Sequence, residues 1–255
     1  MGKIRLMAKY RLVGKWHLLF FIFCITSFVI IFTGDFSFIA QTVIPAGLNF
    51  RSNRLNTVKI VSAIMGTVLF LVVVPTIKLG CERWFLMTAS GEEPRLKELF
   101  FYFSPSGVRK SVGAFLFCAF HKTAALVLFL FPSVCLSGVL YFSFGEGEIS
   151  LFISYAFLMS IIILFVSGLI FYFIYTARYC TYYPVIVSNE AISPSVAFEK
   201  SVGITCGAYR KICFFRLSFI PWLLLCLMII PAFYVWGYYK ESKAMLCLHN
   251  DKLHT

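Results

Sequence analysis

The sequence predicts an all-α fold: a polytopic bundle of about five transmembrane helices, with six as the alternative, and two short amphipathic cytoplasmic helices. The chain is 60% hydrophobic and only 13% charged, with a mean hydropathy of +0.86, whereas soluble domains carry about 25% charged residues. The run from Ile149 to Ala177 contains no charged side chain, and about 20 apolar residues are enough to cross a bilayer. Basic residues cluster at the ends of the apolar runs, as in membrane proteins.

The 255 residues leave room for one membrane domain, residues 1–255. The first apolar run follows several basic residues, so a signal peptide is an alternative to a span. The run is longer than a usual signal sequence and no small-x-small cleavage site follows it, so we expect an uncleaved anchor. The predicted spans lie near residues 16–33, 58–79, 112–144, 149–177 and 214–239, and the predicted cytoplasmic loops are 80–111 and 178–213.

The distribution of lysine and arginine predicts the orientation of the bundle. Five spans with a cytoplasmic N-terminus leave 16 basic residues inside and 6 outside, and Lys122 within a span. The short loop at 141–148 carries two glutamates and no basic residue, as expected on the outside. We therefore expect the C-terminus outside.

The third run contains His121 and Lys122. A lysine in the middle of a bilayer costs about 2.5–3.5 kcal/mol. Either the span begins near Thr123 and the lysine reaches the interface, or Lys122 faces a polar interior. The interface is the preferred interpretation, since a long side chain can extend to the headgroups.

Each predicted loop contains a short helical pattern. Leu96, Leu99, Phe100 and Phe103 have the spacing of one face of a helix. In the later loop, Ser193 is a candidate N-cap before Pro194, and Gly207 a candidate C-terminal stop. We expect both helices in the membrane interface or beneath the bundle.

Basic residues near the second pattern indicate contact with anionic lipid, or topology control alone. The candidate functional residues are Arg178, Lys200, Ser201, Gly207, Arg210, Lys211, Arg216, Trp222, His121 and Lys122.

The second loop also carries a family resemblance. Ala197-x-x-x-Ser201, Gly207 and Leu217-Ser218-Phe219-Ile220-x-Trp222 resemble a Gram-positive bacterial family of multi-pass membrane proteins, domain of unknown function 975. Leu79-Gly80 and Leu99-Phe100-x-x-Phe103 resemble the segment after that family's second span. The family is distantly similar to the non-catalytic membrane domain of glycerophosphodiester phosphodiesterases. The resemblance implies a helical membrane fold in the bacterial cytoplasmic membrane and no assigned reaction.

The sequence indicates no enzyme. The four histidines are scattered and no metalloprotease, phosphate-loop or dinucleotide motif occurs, so we expect no catalytic, cofactor or metal site. The nine cysteines form no CxxC pair and are interpreted as small apolar fillers. The net charge of +12 is assigned to the lipid bilayer and its anionic headgroups rather than to nucleic acid, because no reader motif is present.

Three functions are consistent with these patterns. The first is a membrane protein without enzymatic activity that acts through partner proteins or lipids. The second is a small transporter, exporter component or immunity-type factor for an amphipathic compound, suggested by spans interrupted by proline and glycine. The third, an enzyme acting on lipid headgroups, is the least supported.

Overall fold

The computed structural model describes residues 2–30, 52–145, 151–189, 191–207, 209–219, 221 and 229–254. Within these residues all regular structure is helical. In chain order the elements are α1 Gly2–Leu12, α2 Trp16–Ile30, α3 Ser52–Ser90, the 3-10 helix Leu96–Phe103, α4 Pro105–Gly145, α5 Leu151–Ala177, α6 Tyr182–Ser188, α7 Pro194–Cys206, α8 Tyr209–Leu217 and α9 Ile229–His254.

Three stretches are long and apolar enough to cross a membrane: Ile64–Ser90, Pro105–Tyr141 and Ser154–Ser188. The pair α1 and α2 passes the same test together, although the two helices meet at 94°. The described residues therefore confirm an all-helical fold with three or four candidate membrane spans, where the sequence predicts five. The end of the first predicted span, after residue 30, lies outside the described residues.

Helix α3 continues to Ser90, which corrects the predicted loop over residues 80–111. Trp84 and Phe85 are fully buried on this extension, and Glu82 is only 1% exposed. The prediction ended the span too early because charged residues follow residue 79. In the folded chain Glu82 is an interior residue, so its charge does not mark the start of a loop.

The short helix that follows is a 3-10 helix, and its buried face differs from the predicted one. Three residues per turn place Leu99 and Tyr102 together in the interior. Phe100 and Phe103 are 49% and 41% exposed, whereas α-helical spacing had grouped them with Leu99. The element type, which the apolar pattern does not specify, decides which aromatic rings are buried.

Helix α7 matches the predicted boundaries. The Ser193 hydroxyl accepts a hydrogen bond from the Val196 amide at 3.4 Å, and Gly207 is the C-cap. Ala197 and Ser201, one turn apart, are completely buried. This face packs against α6 and the chain before it, so neighbouring protein covers it.

Helix α5 is continuous past Ser167 and Gly168. A Cβ atom added at Gly168 would lie 2.5 Å from the Phe129 carbonyl oxygen of α4. This glycine therefore permits close packing of α4 and α5.

The predicted fifth span, 214–239, lies partly outside the described residues, and its two described ends are in contact. The rings of Phe215 and Tyr239 are stacked with centroids 5.9 Å apart. At 1.5 Å of rise per residue, a single helix would hold these two residues about 36 Å apart. The two ends of the predicted span therefore lie side by side, on α8 and α9.

The two ends of the chain also lie together, whereas the sequence predicts that the membrane separates them. Ile4 of α1 packs in one cluster with Leu246 of α9. Trp16 stacks on Tyr234 with ring centroids 4.6 Å apart. Residues on opposite sides of about 30 Å of hydrocarbon cannot make such contacts.

Candidate functional site

A cavity of about 260 Å³ lies where α3, α4, α5, α8 and α9 meet. Its wall contains five basic side chains and one carboxylate: Lys78, Lys122, Arg216, Lys240, Lys243 and Glu82. Four tyrosines complete the polar part of the wall: Tyr172, Tyr179, Tyr183 and Tyr239. The cavity is thus strongly basic although three of the helices around it, α3, α4 and α5, carry the candidate apolar spans.

Helical spacing brings the charged groups together. Lys78 and Glu82 are four residues apart on α3, so they lie on one face of that helix. Lys240 and Lys243 are three residues apart on α9, which places them on one face as well. Each helix therefore delivers two charged groups to the same place.

Glu82 holds two lysines in the interior. Its Oε1 atom accepts hydrogen bonds from the ammonium groups of Lys240 and Lys243, the latter at 3.0 Å. Its Oε2 atom accepts a second bond from Lys243 at 3.2 Å. A single carboxylate balances only one of these two positive charges, so the triad itself carries an excess of one.

The other three basic groups pair with no carboxylate among the described residues. The Lys78 ammonium donates to the Tyr183 hydroxyl at 3.3 Å. One Arg216 amino group donates to the Thr176 hydroxyl at 3.2 Å and lies 3.4 Å from the Phe173 carbonyl oxygen. These neutral partners leave the positive charges uncompensated.

The arrangement favours an anion. Positive charges held away from bulk water without counter-charges raise the free energy of the folded state. An anion in the cavity would lower it, and ammonium, guanidinium and phenol groups are all hydrogen-bond donors. Within the described residues no group of three or more histidine, cysteine or acidic side chains is placed to hold a metal ion.

Comparisons of this chain with models of protein families, with curated proteins and with solved structures find no match. The family resemblance carried by the motifs of the second loop stays a prediction.

Two of the sequence-predicted residues, Lys122 and Arg216, line the cavity. Helix α4 begins at Pro105 and passes through Lys122 without interruption, so no helix start marks the predicted beginning of the third span near Thr123. The alternative, in which this lysine faces a polar interior, matches its position in the cavity wall.

His121 lies outside the cavity wall. Its ring packs between Phe117 and Phe198, with centroid distances of 4.4 and 4.6 Å. Its Nδ1 atom lies 3.0 Å from the Phe117 carbonyl oxygen. These contacts indicate a role in joining α4 to α7.

The remaining candidates do not meet at one site. Arg178 is exposed, and its carbonyl oxygen accepts a bond from the Thr205 hydroxyl at 3.0 Å. Ser201 is buried and shares a 3.0 Å hydrogen bond with Thr181. Gly207 ends α7. Lys200, Arg210 and Lys211 are exposed, and Trp222 lies outside the described residues.

Lys78, Glu82, Lys240 and Lys243 were not predicted as site residues. The predicted topology puts Lys78 at the end of a span and Glu82 in a loop. It puts Lys240 and Lys243 in an outer tail. The four-residue spacing of Lys78 and Glu82 was a usable signal, provided that the helix was extended beyond residue 79. No local pattern pairs α3 with residues more than 150 positions away.

Proposed function

We propose that this chain is a non-enzymatic integral membrane protein that works by binding an anionic lipid headgroup in the basic cavity. One observation carries the proposal: five basic side chains and a single carboxylate line one cavity bounded by the candidate spans. A bilayer supplies anionic headgroups at high local concentration. Basic pockets between membrane helices are a known means of holding them.

The wider setting belongs to the same proposal. We place the cavity near the cytoplasmic face of a bacterial membrane, with a membrane-protein partner as a further possibility for the exposed surfaces. The positive-inside distribution and the family resemblance support this setting.

The test compares lipid retention by matched variants. The delipidated protein, in neutral detergent, is titrated with phosphatidylglycerol or phosphatidylcholine and bound lipid is counted by native mass spectrometry. We expect the wild type to prefer phosphatidylglycerol. The double variant Lys122→Gln/Arg216→Gln should bind it about tenfold more weakly or worse, because bonds to charged groups contribute about 1.5–3 kcal/mol each.

The control variant removes the same number of positive charges from positions outside the cavity. Arg210→Gln/Lys211→Gln removes the same two charges from exposed positions of α8, the helix that carries Arg216. It should leave phosphatidylglycerol binding within about twofold of the wild type. Equal losses in the two double variants, or no preference over phosphatidylcholine, would contradict the proposal.

A transporter component for an amphipathic anion is the second candidate, because Lys122 lies in a cavity between candidate spans. The helices themselves favour it less, since α4 is continuous through Pro132 and α5 through Gly168. Uptake of a fluorescent anionic amphiphile into proteoliposomes, above that of protein-free vesicles, would support transport over binding alone.

A further inference from the structure

A second cavity adjoins the basic one. It measures about 270 Å³ and lies between α2, α3, α4 and α9. Most of its wall is apolar and includes Phe23, Val74, Ile77, Phe115 and Trp236. Thr26 adds little polarity, because its hydroxyl donates to carbonyl oxygens within its own helix. This cavity suits a hydrocarbon chain.

The two cavities share two wall residues, Lys78 and Lys240. Both ammonium groups are engaged on the basic side, Lys78 by Tyr183 and Lys240 by Glu82. A long lysine side chain can line an apolar space with its methylenes while its charged end is solvated elsewhere. These two lysines therefore mark a boundary between an apolar chamber and a cationic one.

The volumes of the two cavities also favour a single ligand that occupies both. Sites for small-molecule ligands usually measure about 300–1,000 Å³, and each cavity alone falls below that range. The combined volume of the two cavities falls within that range. One ligand with an apolar part and an anionic part would fill both.

We propose that the two cavities hold one phosphate-bearing amphiphile with a single acyl chain. Its phosphate monoester lies among Lys78, Lys122 and Arg216, and its chain lies against Phe23, Val74 and Trp236. A phosphate monoester carries a charge of about −1.5 to −2 with three acceptor oxygens, which suits three cations without carboxylate partners better than the single charge of a carboxylate does. This inference rests on the proposed headgroup binding and adds the chemical class of the ligand.

The experiment varies the chain and the head separately. The probes are 1-acyl lysophosphatidic acids with chains of increasing length, glycerol 3-phosphate, inorganic phosphate, lysophosphatidylcholine and a fatty acid of matched length. Binding is measured to protein in phosphatidylcholine nanodiscs, with empty nanodiscs as the correction for partitioning. We expect affinity for lysophosphatidic acid to rise about tenfold or more along the chain series, and to exceed that for lysophosphatidylcholine and for the fatty acid.

Variants test which cavity binds the acyl chain and which binds the phosphate. Ser27 lines the apolar cavity and is half-buried, so Ser27→Phe should fill it and flatten the chain-length dependence while glycerol 3-phosphate still binds. Ser160→Phe makes the same change at an exposed position of α5 and should behave as the wild type. The variant Lys122→Gln/Arg216→Gln should weaken binding of glycerol 3-phosphate and of every lysophosphatidic acid.

The outcomes separate the two proposals. If glycerol 3-phosphate binds and the acyl chain adds nothing beyond partitioning, the amphiphile inference is overturned and headgroup binding stands. If inorganic phosphate binds as tightly as glycerol 3-phosphate and every lysophosphatidic acid, the basic cavity is a site for the free anion. That result also overturns the amphiphile inference. Equal binding of the fatty acid or lysophosphatidylcholine overturns the phosphate assignment. Absence of binding by every anionic probe overturns both.

Discussion

Glu241 is a buried carboxyl group with no hydrogen-bond partner among the described residues. It lies on α9, outside the candidate spans, and is 0% exposed. Burial raises the pKa of this carboxyl from its ordinary value of 4.5 to about 8, against the opposing influence of Lys15 and Arg11. The folded protein therefore holds a proton on Glu241 under conditions in which the unfolded chain has released it.

This proton makes stability depend on pH. Between pH 4.5 and about 8 the folded state binds one proton more than the unfolded state, so the free energy of unfolding should fall as the pH rises. The slope from one such group is about 1.4 kcal/mol per pH unit. Glu241→Gln should remove this contribution, and its advantage over the wild type should grow across that pH window.

Thermal unfolding in detergent at pH 5.5 and 8.5 measures the effect. Glu199→Gln, at an exposed position of α7, is the matched control and should follow the wild type. Parallel pH profiles for the wild type and Glu241→Gln would show that the carboxyl is ionised in the folded protein.

At the scale of single residues, the sequence identified part of the site. Lys122 stood out because a lysine in an apolar run is costly and therefore needs a reason. Lys240 and Glu82 did not stand out, because each follows the end of an apolar run, where charged residues are ordinary. Only the contact between α3 and α9 distinguishes them, and that contact is not local in sequence.

The crossing of α4 and α5 depends on close approach at Gly168. An added Cβ would lie 2.5 Å from the Phe129 carbonyl oxygen, which is backbone and cannot move aside cheaply. Gly168→Ala should therefore destabilise the protein by about 1–3 kcal/mol, the usual cost of overpacking.

Gly138→Ala is the matched control, since it lies on α4 and an added Cβ there meets no atom within 4 Å. It should be neutral or slightly stabilising, because alanine favours a helix more than glycine does. Thermal unfolding midpoints of the two variants compare them directly. A Gly168→Ala protein as stable as Gly138→Ala would mean that the two helices pack more loosely at this point.

At the scale of elements, periodicity and capping residues predicted what they physically control. Ser193 and Gly207 delimit α7 because they satisfy or end backbone hydrogen bonding locally. Hydropathy placed the end of α3 too early, because tertiary packing buries the charged residue Glu82 inside that helix. Hydropathy also could not show that Phe215 and Tyr239, near the two ends of one apolar run, pack against each other.

For the whole molecule, the packing of α1 against α9 brings both ends of the chain together, and we expect them on one side of the membrane. Fusions of green fluorescent protein and of alkaline phosphatase at each end test this, since the first fluoresces in the cytoplasm and the second is active outside it. We expect both ends to give the same result, with fluorescence and without phosphatase activity. Opposite results at the two ends would mean that the chain crosses the membrane an odd number of times, as the five predicted spans require.

This arrangement also sharpens the predicted charge asymmetry. Moving Lys240, Lys243 and Lys252 to the side of the N-terminus changes the count of basic residues from 16 against 6 to 19 against 3. The membrane class and the helical architecture were predictable because they follow from composition. The number of crossings was not, because one apolar run can cross or return.

The pairing of Glu82 with Lys240 and Lys243 has a consequence for biosynthesis. The carboxylate is translated 158 residues before the first of its two cations. A nascent chain holds Glu82 without these partners until α9 has been made, and a chain shortened before Lys240 never acquires them. Docking of α9 is therefore the step that gives the Glu82 carboxylate its counter-charges, and chains that lack α9 should be recognised and degraded by membrane proteases.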